Sequence, residues 1–215
     1  MKKSNKNALS SPPRDSGQNL TPKKRTKSMN KLTHDIKNKN LIPDLAQAKT
    51  YLDFIAGDSP LTFQWFADKK HAQLFPGHRT CDFDDISSQL IHYNQQGAGI
   101  YLMVNEGNGL GRKTANVVRV RSLFVDLDGE PLQTVTSQSL YPDMIIESSP
   151  GRYHCYWKVE GCSVEDFRYF QIELANKYNG DVKVHDLPRV MRIPGFYHQK
   201  KEPFMTKILE VGGRK

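Results

Sequence analysis

The sequence predicts a mixed α/β (α+β) domain that follows a basic N-terminal tail. Short apolar stretches typical of buried strands alternate along the chain with segments whose apolar residues recur at helical spacing. The 215 residues suffice for one domain of ordinary size, with a core of its own, and a tail. We therefore expect a folded domain over residues 42–215 and a separate segment over residues 1–40.

Three segments have the periodicity and the end signals of helices. The first has Pro43 near its first turn and ends at Gly57. The second spans residues 82–96, where three aspartates in the first turn suit the helix dipole. The third spans residues 164–177 and has the clearest apolar stripe, formed by Phe167, Phe170, Leu174 and Tyr178. One helical turn is predicted over residues 187–190, and segment 131–140 fits either a helix or an irregular connection.

The predicted strands are apolar stretches bounded by turn residues. Turns are expected over residues 74–79 and 148–152, and a polar loop over residues 105–114. The strands are predicted over residues 61–67, 99–104, 117–127, 144–147, 153–159 and 204–211.

Residues 1–40 differ from the rest of the chain in charge. They hold 11 Lys and Arg residues against two acidic ones, whereas the other 175 residues hold 20 against 21. The segment is rich in Lys, Asn, Ser and Pro and has no sustained periodicity, so we predict a disordered tail. Such a tail favours a polyanion such as nucleic acid, with Lys23, Lys24 and Arg25 as candidate contacts. The alternative is a solvated extension that binds nothing.

Composition excludes several classes of protein. No apolar run approaches the roughly 18 residues that span a bilayer, and no apolar segment follows the basic N-terminus as in a secretory signal. Three cysteines without a Cys-x-x-Cys pair suggest neither a disulfide framework nor a zinc site. We expect a cytoplasmic protein without a membrane partner.

Two carboxylates lie at the end of a predicted hydrophobic strand. Asp126 and Asp128 are two residues apart, so in an extended strand their side chains point to the same face. Adjacent negative charges repel unless a cation lies between them, and Mg²⁺ or Mn²⁺ prefers such hard oxygen ligands. The alternative is a strand that runs into an Asp-Gly turn, with both carboxylates solvated.

The same stretch allows a second interpretation as a phosphatase. Asp-x-Asp-Gly resembles the first motif of haloacid-dehalogenase-like phosphatases, in which Asp126 would be the nucleophile. Glu130 stands where that motif has Thr, and the motif lies past the middle of the chain. Gly180-Asp181 and Asp186 imitate the later acidic elements only loosely. The phosphatase is therefore the second hypothesis.

The loop before this strand is similar to the end of a Walker A motif but departs from it. Arg112 is inserted between Gly111 and Lys113, and a strand is predicted after the loop where a P-loop needs a helix. We therefore exclude nucleotide cradling of that kind. Arg112 and Lys113 remain candidates for contact with nucleic-acid phosphates.

Two later stretches combine cations with turn residues. In the first, Ser148, Gly151, Arg152 and His154 surround a tight turn that permits close approach to an anion. The alternative role for His154 is that of a hydrogen-bonded structural histidine. The second stretch runs from residue 180 to residue 200 and would otherwise be a polar connection. It offers Asp181 as a third metal ligand and four cationic groups: Arg189, Arg192, His198 and Lys200.

In this order the three stretches resemble the motifs of the archaeo-eukaryotic primase superfamily, particularly the RepB-like primases and primase-polymerases of plasmids and phages. The motifs are a hydrophobic-Asp-x-Asp element, a Ser-x-His-like element and a later Asp followed by a basic Arg-hydrophobic-Pro-Gly stretch. The resemblance covers about residues 60–210. It implies an α/β unit packed on an RRM-like antiparallel sheet, with the active site in the cleft between them.

The resemblance also implies a DNA primase or primase-polymerase, a nucleotidyltransferase that uses two Mg²⁺ or Mn²⁺ ions. The metal ligands would be Asp126, Asp128 and Asp181, with Asp186 as the alternative third ligand. The incoming nucleoside triphosphate would be bound by Ser148, Arg152, His154, Arg192, His198 and Lys200.

The expected partners are a single-stranded DNA template, nucleoside triphosphates, and a replicative helicase or initiator protein. A replication-initiation protein that binds DNA without catalysis is the third hypothesis.

Overall fold

The computed structural model describes residues 41–68 and 74–212, and the predicted tail over residues 1–40 lies outside them. The helices are α1 (Leu45–Ala56), α2 (Phe83–Gln95), α3 (Gln133–Thr136) and α4 (Phe167–Lys177). The strands are β1 (Thr62–Ala67), β2 (Gly77–Thr80), β3 (Ala98–Met103), β4 (Glu106–Gly107), β5 (Val117–Arg119), β6 (Ser122–Leu127), β7 (Met144–Ser149), β8 (Arg152–Lys158), β9 (Val190–Arg192), β10 (Tyr197–His198), β11 (Phe204–Met205) and β12 (Lys207–Val211).

The first four-stranded sheet has the order β2-β1-β3-β9, and each of its pairs is antiparallel. One face packs on α2, since the ring of Phe63 lies 6.0 Å from that of Phe83 and Trp65 stacks on Tyr93 at 5.1 Å. The opposite face is polar: Gln64 on β1 stands opposite Tyr101 on β3, which stands opposite Arg192 on β9. This polar face is turned away from the apolar core.

The second four-stranded sheet has the order β12-β7-β8-β6 and is also antiparallel. Residues of one face, such as Phe124 and Tyr156, belong to the larger core, where the Tyr156 hydroxyl lies 3.3 Å from that of Tyr51 on α1. Residues of the other face, such as Val125, pack with Leu174 and Tyr178 in a second core beneath α4. The sheet is therefore covered on both faces. The two antiparallel sheets and their helices confirm the α/β (α+β) class.

Strand β6 lies at the edge of the second sheet, and a side chain of α4 satisfies its backbone. The amide oxygen of the buried Gln171 accepts a hydrogen bond from the Phe124 N–H at 3.1 Å. The amide nitrogen of Gln171 donates to the carbonyl oxygen of Phe124 and to that of Val184, the latter at 3.0 Å. Unpaired N–H and C=O groups at the edge of a sheet can pair with another chain. Here the Gln171 amide bonds to those of Phe124 in place of a further strand.

Several predicted elements were placed correctly, among them α1, α2, β1 and β3, and the strands β7 and β8 around their turn. Asp44 caps α1 by accepting hydrogen bonds from the Ala46 and Gln47 N–H groups at 3.0 and 3.2 Å. Within the described residues, no helix is long and apolar enough to cross a membrane.

Other predictions were wrong in detail. The segment predicted as one strand over 117–127 is two strands in different sheets, because the Arg121 N–H donates to the Asn105 side chain at 3.1 Å between them. The final strand is likewise divided at Thr206, whose N–H donates to the Phe196 carbonyl at 3.0 Å. The predicted turn over 74–79 contains the start of β2, and the predicted helical turn over 187–190 leads instead into β9.

The apolar face predicted for α4 is wrong at one residue. Phe170 is 46% exposed, whereas Gln171 is buried. The inward positions are Phe167, Gln171, Leu174 and Ala175, which also follow helical spacing. The polar Gln171 occupies the core because its amide is fully used by backbone groups of β6 and the segment after α4.

Candidate active site

Asp126 and His154 lie opposite each other on β6 and β8. The Oδ1 atom of Asp126 is 3.8 Å from Nε2 of His154. Burial lowers the pKa of His154, and the nearby charge of Arg192 lowers it too, while the Asp126 carboxylate opposes both effects. The buried Nδ1 atom of His154 has no hydrogen-bond partner among the described residues. The site thus presents a carboxylate beside a neutral, buried imidazole.

Asp128 follows β6 and forms an ion pair with Arg152 at the start of β8. Both side chains are about half exposed, so the pair lies at the mouth of the site. Gly151 precedes Arg152 with a φ of +70°, and its N–H donates to Glu147 Oε1 at 3.1 Å. The turn between β7 and β8 therefore directs a guanidinium group toward the carboxylate end of β6.

A backbone hydrogen bond holds Asp181 next to Asp126. Its N–H donates to the carbonyl oxygen of Asp126 at 3.1 Å, and its Oδ1 accepts from the Lys183 N–H at 2.9 Å. Gly180 permits this approach, because a Cβ atom there would clash with Cγ1 of Val125 and lie 3.4 Å from the Asp126 carbonyl oxygen. The structure thus places Asp181 directly beside β6.

These carboxylates have the chemistry of a divalent-ion site. Hard oxygen donors suit Mg²⁺ and Mn²⁺, and Asp126, Asp128 and Asp181 supply such donors near the end of β6, where the Asp181 backbone is bonded to that of Asp126. Among the described residues, however, no three acidic, His or Cys side chains already form a metal-binding cluster. Asp128 is turned to Arg152, and Asp181 is turned to its own backbone. The residues therefore fit a divalent ion by the type of their donor atoms, while in this structure Asp128 and Asp181 have other partners.

The alternative third ligand, Asp186, has another partner. Its carboxylate forms an ion pair with Arg189, which lies three residues later. Arg189 also donates to the Lys183 carbonyl at 3.0 Å. Asp186 thus braces the segment between α4 and β9.

A cavity of about 400 Å³ lies beside the carboxylate end of β6. Three residues predicted to bind a triphosphate line it: Arg152, His198 and Lys200. Its other lining residues are Ser149, Pro150, Lys201, Glu202 and Phe204. Sequence reasoning missed Lys201, although it directly follows Lys200.

Ser148, which the resemblance implied as a ligand of the triphosphate, forms local hydrogen bonds in this structure. Its hydroxyl donates to the Arg152 carbonyl at 3.3 Å, and its own carbonyl oxygen lies 3.2 Å from Nδ1 of His198. Ser148 therefore connects the turn to β10 through local hydrogen bonds. The pKa of His198 is lowered to about 4, chiefly by burial and then by the charge of Arg192.

Arg192 is held by Asp68, a residue that sequence reasoning missed. The guanidinium donates two hydrogen bonds to the Asp68 carboxylate, at 2.7 and 3.0 Å, and lies 4.7 Å from the centre of the Tyr101 ring. Asp68 also accepts from the Tyr101 hydroxyl at 3.3 Å and from the Gln199 N–H at 2.8 Å. Its side chain is fully buried. A single Asp after an apolar strand carries no sequence signal of this role.

The remaining predicted residues lie elsewhere. Arg112 donates to the Gln64 side chain at 2.7 Å and to the Pro188 carbonyl at 2.8 Å. Arg112 and Lys113 line a second cavity of about 600 Å³, apart from the one beside β6. The tail residues Lys23, Lys24 and Arg25 lie outside the described residues.

Known proteins share the fold of this domain and the part of the sequence that carries the motifs. Residues 108–207 match the model of a family described as the RepB DNA-primase N-terminal domain. The AEP (archaeo-eukaryotic primase) domain of the primase-polymerase of cyanophage S-2L has a similar structure, with a TM-score of 0.67 and 18% identity over 80% of this chain and 93% of that one. No curated protein sequence matches the chain significantly.

Two structures of the primase RepB′ are also similar at 18% identity. The first, a crystal structure of RepB′, gives a TM-score of 0.62 and covers 80% of this chain and 57% of that chain. The second is its catalytic domain in complex with initiator DNA, with a TM-score of 0.60 over 80% of this chain and 86% of that chain. This chain thus corresponds to little more than half of the longer RepB′ structure.

The fold is that of a primase domain of the archaeo-eukaryotic type. Residues 108–207, a little under half of the chain, are similar to the RepB primase family, and the whole described domain shares its fold with the cyanophage and RepB′ domains. This finding confirms the resemblance seen in the sequence and favours a primase over a dehalogenase-like phosphatase.

Proposed function

We propose that the protein is a nucleotidyltransferase that synthesises primers on single-stranded DNA with the help of Mg²⁺ or Mn²⁺. The observation that carries the proposal is the arrangement around Asp126. Its carboxylate lies 3.8 Å from the His154 ring, and its backbone carbonyl oxygen accepts a hydrogen bond from the Asp181 N–H at 3.1 Å. This arrangement lies beside a cavity lined by cationic side chains. A carboxylate group next to an anion pocket is what transfer of a nucleotide requires.

Asp126, Asp128 and Asp181 would hold the divalent ions. When bound, the ions activate the attacking 3′ oxygen and support the leaving pyrophosphate. Asp128 would exchange its pairing with Arg152 for an ion, which frees the guanidinium for a phosphate group. Arg152 is suited to this exchange because it borders both the carboxylates and the cavity.

The cavity beside β6 would hold the triphosphate. Arg152, Lys200 and Lys201 supply positive charge, and Arg offers a planar fork that matches phosphate oxygens. His198 also lines the cavity but is neutral near pH 7, because its pKa lies at about 4. It would therefore bind the phosphate group by hydrogen bonding and not by charge.

His154 and Arg192 would support the site in different ways. The buried imidazole of His154 lies next to the Asp126 carboxylate and would help to hold that carboxylate in place. Two hydrogen bonds to the buried Asp68 carboxylate fix the position of the Arg192 guanidinium, whose charge helps to lower the pKa values of His154 and His198. Positioning and charge stabilisation of this kind account for most of the catalysis in phosphoryl and nucleotidyl transfer.

Single-stranded DNA is the proposed template. The catalytic domain of RepB′, which shares this fold, was solved with initiator DNA. Plasmid or phage replication in the cytoplasm, with a helicase or initiator protein as a partner, remains a prediction.

The test is incorporation of a labelled nucleotide on a single-stranded template with Mg²⁺ or Mn²⁺. We expect Asp126→Asn to reduce synthesis by about 100-fold or more, since even indirect partners of a metal site are worth 10- to 100-fold. Asp53→Asn, at an exposed position of α1, is the matched control and should retain full activity.

Synthesis that survives the combined change of Asp126→Ala and Asp128→Ala would refute the proposal. DNA binding with steep salt dependence but without metal-dependent synthesis would favour the non-catalytic initiation protein.

A further inference from the structure

One side of the cavity beside β6 is formed by β10 and the residues that follow it. His198, Lys200 and Lys201 of this segment line the cavity. Strand β10 has only two residues and pairs with β11 along one of its edges. The backbone N–H and C=O groups on its other edge need partners too, because unpaired buried groups are costly. The placement of the three cavity side chains therefore depends on what bonds that second edge.

The side-chain amide of Asn94 takes the place of a strand along this edge. Asn94 lies in the last turn of α2 and is fully buried. Its Oδ1 atom accepts from the Tyr197 N–H at 3.0 Å, and its Nδ2 atom donates to the Tyr197 carbonyl at 2.8 Å. The second N–H of the same amide donates to the carbonyl of Ala98, at the start of β3, at 2.8 Å. One fully used amide thus ties β10 to the first sheet.

Two further hydrogen bonds hold Gln199, the second neighbour of His198. The Gln199 N–H donates to the buried Asp68 carboxylate at 2.8 Å, and its side-chain amide donates to the Asn94 carbonyl oxygen. The residues before and after His198 are therefore both fixed through α2 and the end of β1. Since Lys200 follows Gln199 directly, the same bonds set where its backbone enters the cavity wall.

We propose that Asn94 is a positioning residue of the nucleotide site, which fixes the main chain that carries His198 and Lys200 to the cavity. Because Asn94 is fully buried, it acts through this segment and not by contact with a ligand. The role rests on the proposed function, since it assumes that this cavity holds the triphosphate. Groups that bind a substrate must be held to within about 0.5 Å, which depends on the hydrogen bonds behind them. A shift of the segment should therefore weaken nucleotide binding.

Asn105 provides a matched comparison for a purely structural role. It is also a fully buried asparagine whose amide joins distant backbone groups. Its Oδ1 atom accepts from the Arg121 N–H at 3.1 Å, and its Nδ2 atom donates to the Leu187 carbonyl at 3.1 Å. Neither of these two partners lines the cavity beside β6. Loss of either amide should destabilise the fold, whereas only loss of the Asn94 amide should affect the nucleotide.

The first test is steady-state nucleotide incorporation on a primed template by the full chain. Asn94→Ala should raise the KM for nucleoside triphosphates about 10-fold and lower kcat less than about 3-fold, because it displaces charge-assisted contacts made in binding. Asn105→Ala should lower the urea midpoint of unfolding comparably but change KM less than about 2-fold. Equal changes in KM for the two variants, or a loss confined to kcat, would overturn the proposal.

A double-mutant cycle with Lys200→Ala tests whether Asn94 acts through this side of the cavity. Lys200→Ala should raise KM in the wild-type background and raise it less in the Asn94→Ala background, where Lys200 is already displaced. Strictly additive changes in the free energy of nucleotide binding would contradict the proposed route.

Hydrogen exchange of the wild-type chain gives a test that does not depend on the folding of a variant. The Tyr197 N–H, which bonds to Asn94, should exchange more slowly when a non-hydrolysable deoxynucleoside triphosphate and Mg²⁺ are added. The Arg121 N–H, which bonds to Asn105, is the control and should slow less. Equal slowing at both positions, or none at Tyr197 under saturating nucleotide, would overturn the proposal.

These outcomes separate a wrong positioning role from a wrong proposed function. If primers are made and Asp126 is essential while KM is insensitive to Asn94→Ala, only the role of Asn94 is wrong. If the nucleotide slows exchange at Tyr197 selectively but no primer is made, the positioning role is retained and the proposed catalysis is wrong.

Discussion

The backbone N–H of Asp181 donates to the backbone carbonyl oxygen of Asp126 at 3.1 Å, so a main-chain hydrogen bond joins the residues that carry the first and third predicted carboxylates. The bond lies on the free edge of β6, directly after the positions that Gln171 satisfies. Helix α4 and the segment after it therefore bring Asp181 to the end of β6. The distance between two acidic residues far apart in sequence is set by backbone geometry.

Gly180→Ala should disturb this arrangement. The new methyl group would clash with Cγ1 of the buried Val125, so we expect a loss of about 1–3 kcal/mol in the free energy of unfolding. Displacement of Asp181 should also lower primer synthesis. Denaturant unfolding and nucleotide incorporation measure the two effects.

Val125→Ala offers a compensating change for the same site, because it removes the atom that clashes. The double variant should be less destabilised than the sum of the two single variants. Strict additivity would show that the predicted contact does not limit the approach of Gly180.

Asp68→Asn should destabilise the protein by about 3–5 kcal/mol. It removes one partner of a buried ion pair and leaves the Arg192 guanidinium without its counter-charge. The change is measured as the free energy of unfolding in urea. The control is Asp186→Asn, which breaks a half-exposed pair with Arg189 and should cost less than about 1 kcal/mol. Similar costs for the two variants would contradict the assignment of Asp68 to a buried, structural pair.

The free energy of unfolding should decrease as the pH is lowered from about 6.5 to about 4, because of His198. Its pKa is about 4 in the folded protein and near the ordinary 6.5 in the unfolded chain, so the unfolded chain binds more protons in this window. The contribution of neutral His198 is therefore complete above pH 6.5 and lost as pH falls toward 4. The lowered pKa of His154 acts in the same direction.

The measurement is the free energy of unfolding of wild type and His198→Gln at several pH values. The variant should show a shallower dependence on pH between 4 and 6.5. His78→Gln, at an exposed position, is the control and should keep the wild-type slope. A slope that His198→Gln leaves unchanged would contradict the prediction.

Lys201→Ala should raise the KM for nucleoside triphosphates about 3- to 10-fold while changing kcat less. Lys201 lines the cavity beside β6, and one charge-assisted contact with a bound phosphate is worth this much in binding. Lys177→Ala, at an exposed position near the end of α4, should leave KM unchanged. Steady-state kinetics on a primed template separates the two parameters, and a loss confined to kcat would place Lys201 outside the nucleotide site.

Part of this site follows from sequence because the signal is local. The spacing of Asp126 and Asp128 on a strand, and of Arg152 and His154 after a Gly turn, requires no knowledge of distant contacts. The same holds for α1, whose cap and apolar face are continuous in sequence.

The rest depends on contacts between distant parts of the chain. Asp68 acquires its role only from Arg192, which is 124 residues away. Short strands such as β9 and β10 are too brief to show periodicity and exist because longer strands or other segments lie beside them. The predicted apolar stripe of α4 did not include the polar Gln171, although backbone groups of β6 and of the segment after α4 make a buried amide favourable there.

The covering of β6 by Gln171 has a consequence for assembly. Gln171 and the Asp181 N–H already bond the outward N–H and C=O groups of Phe124 and the C=O group of Asp126, which makes this edge a poor acceptor for an extended peptide from another molecule. At the opposite edge of the sheet, β12 exposes Leu209 and Val211. Strand addition to this sheet would therefore be favoured on the side away from the carboxylates of β6.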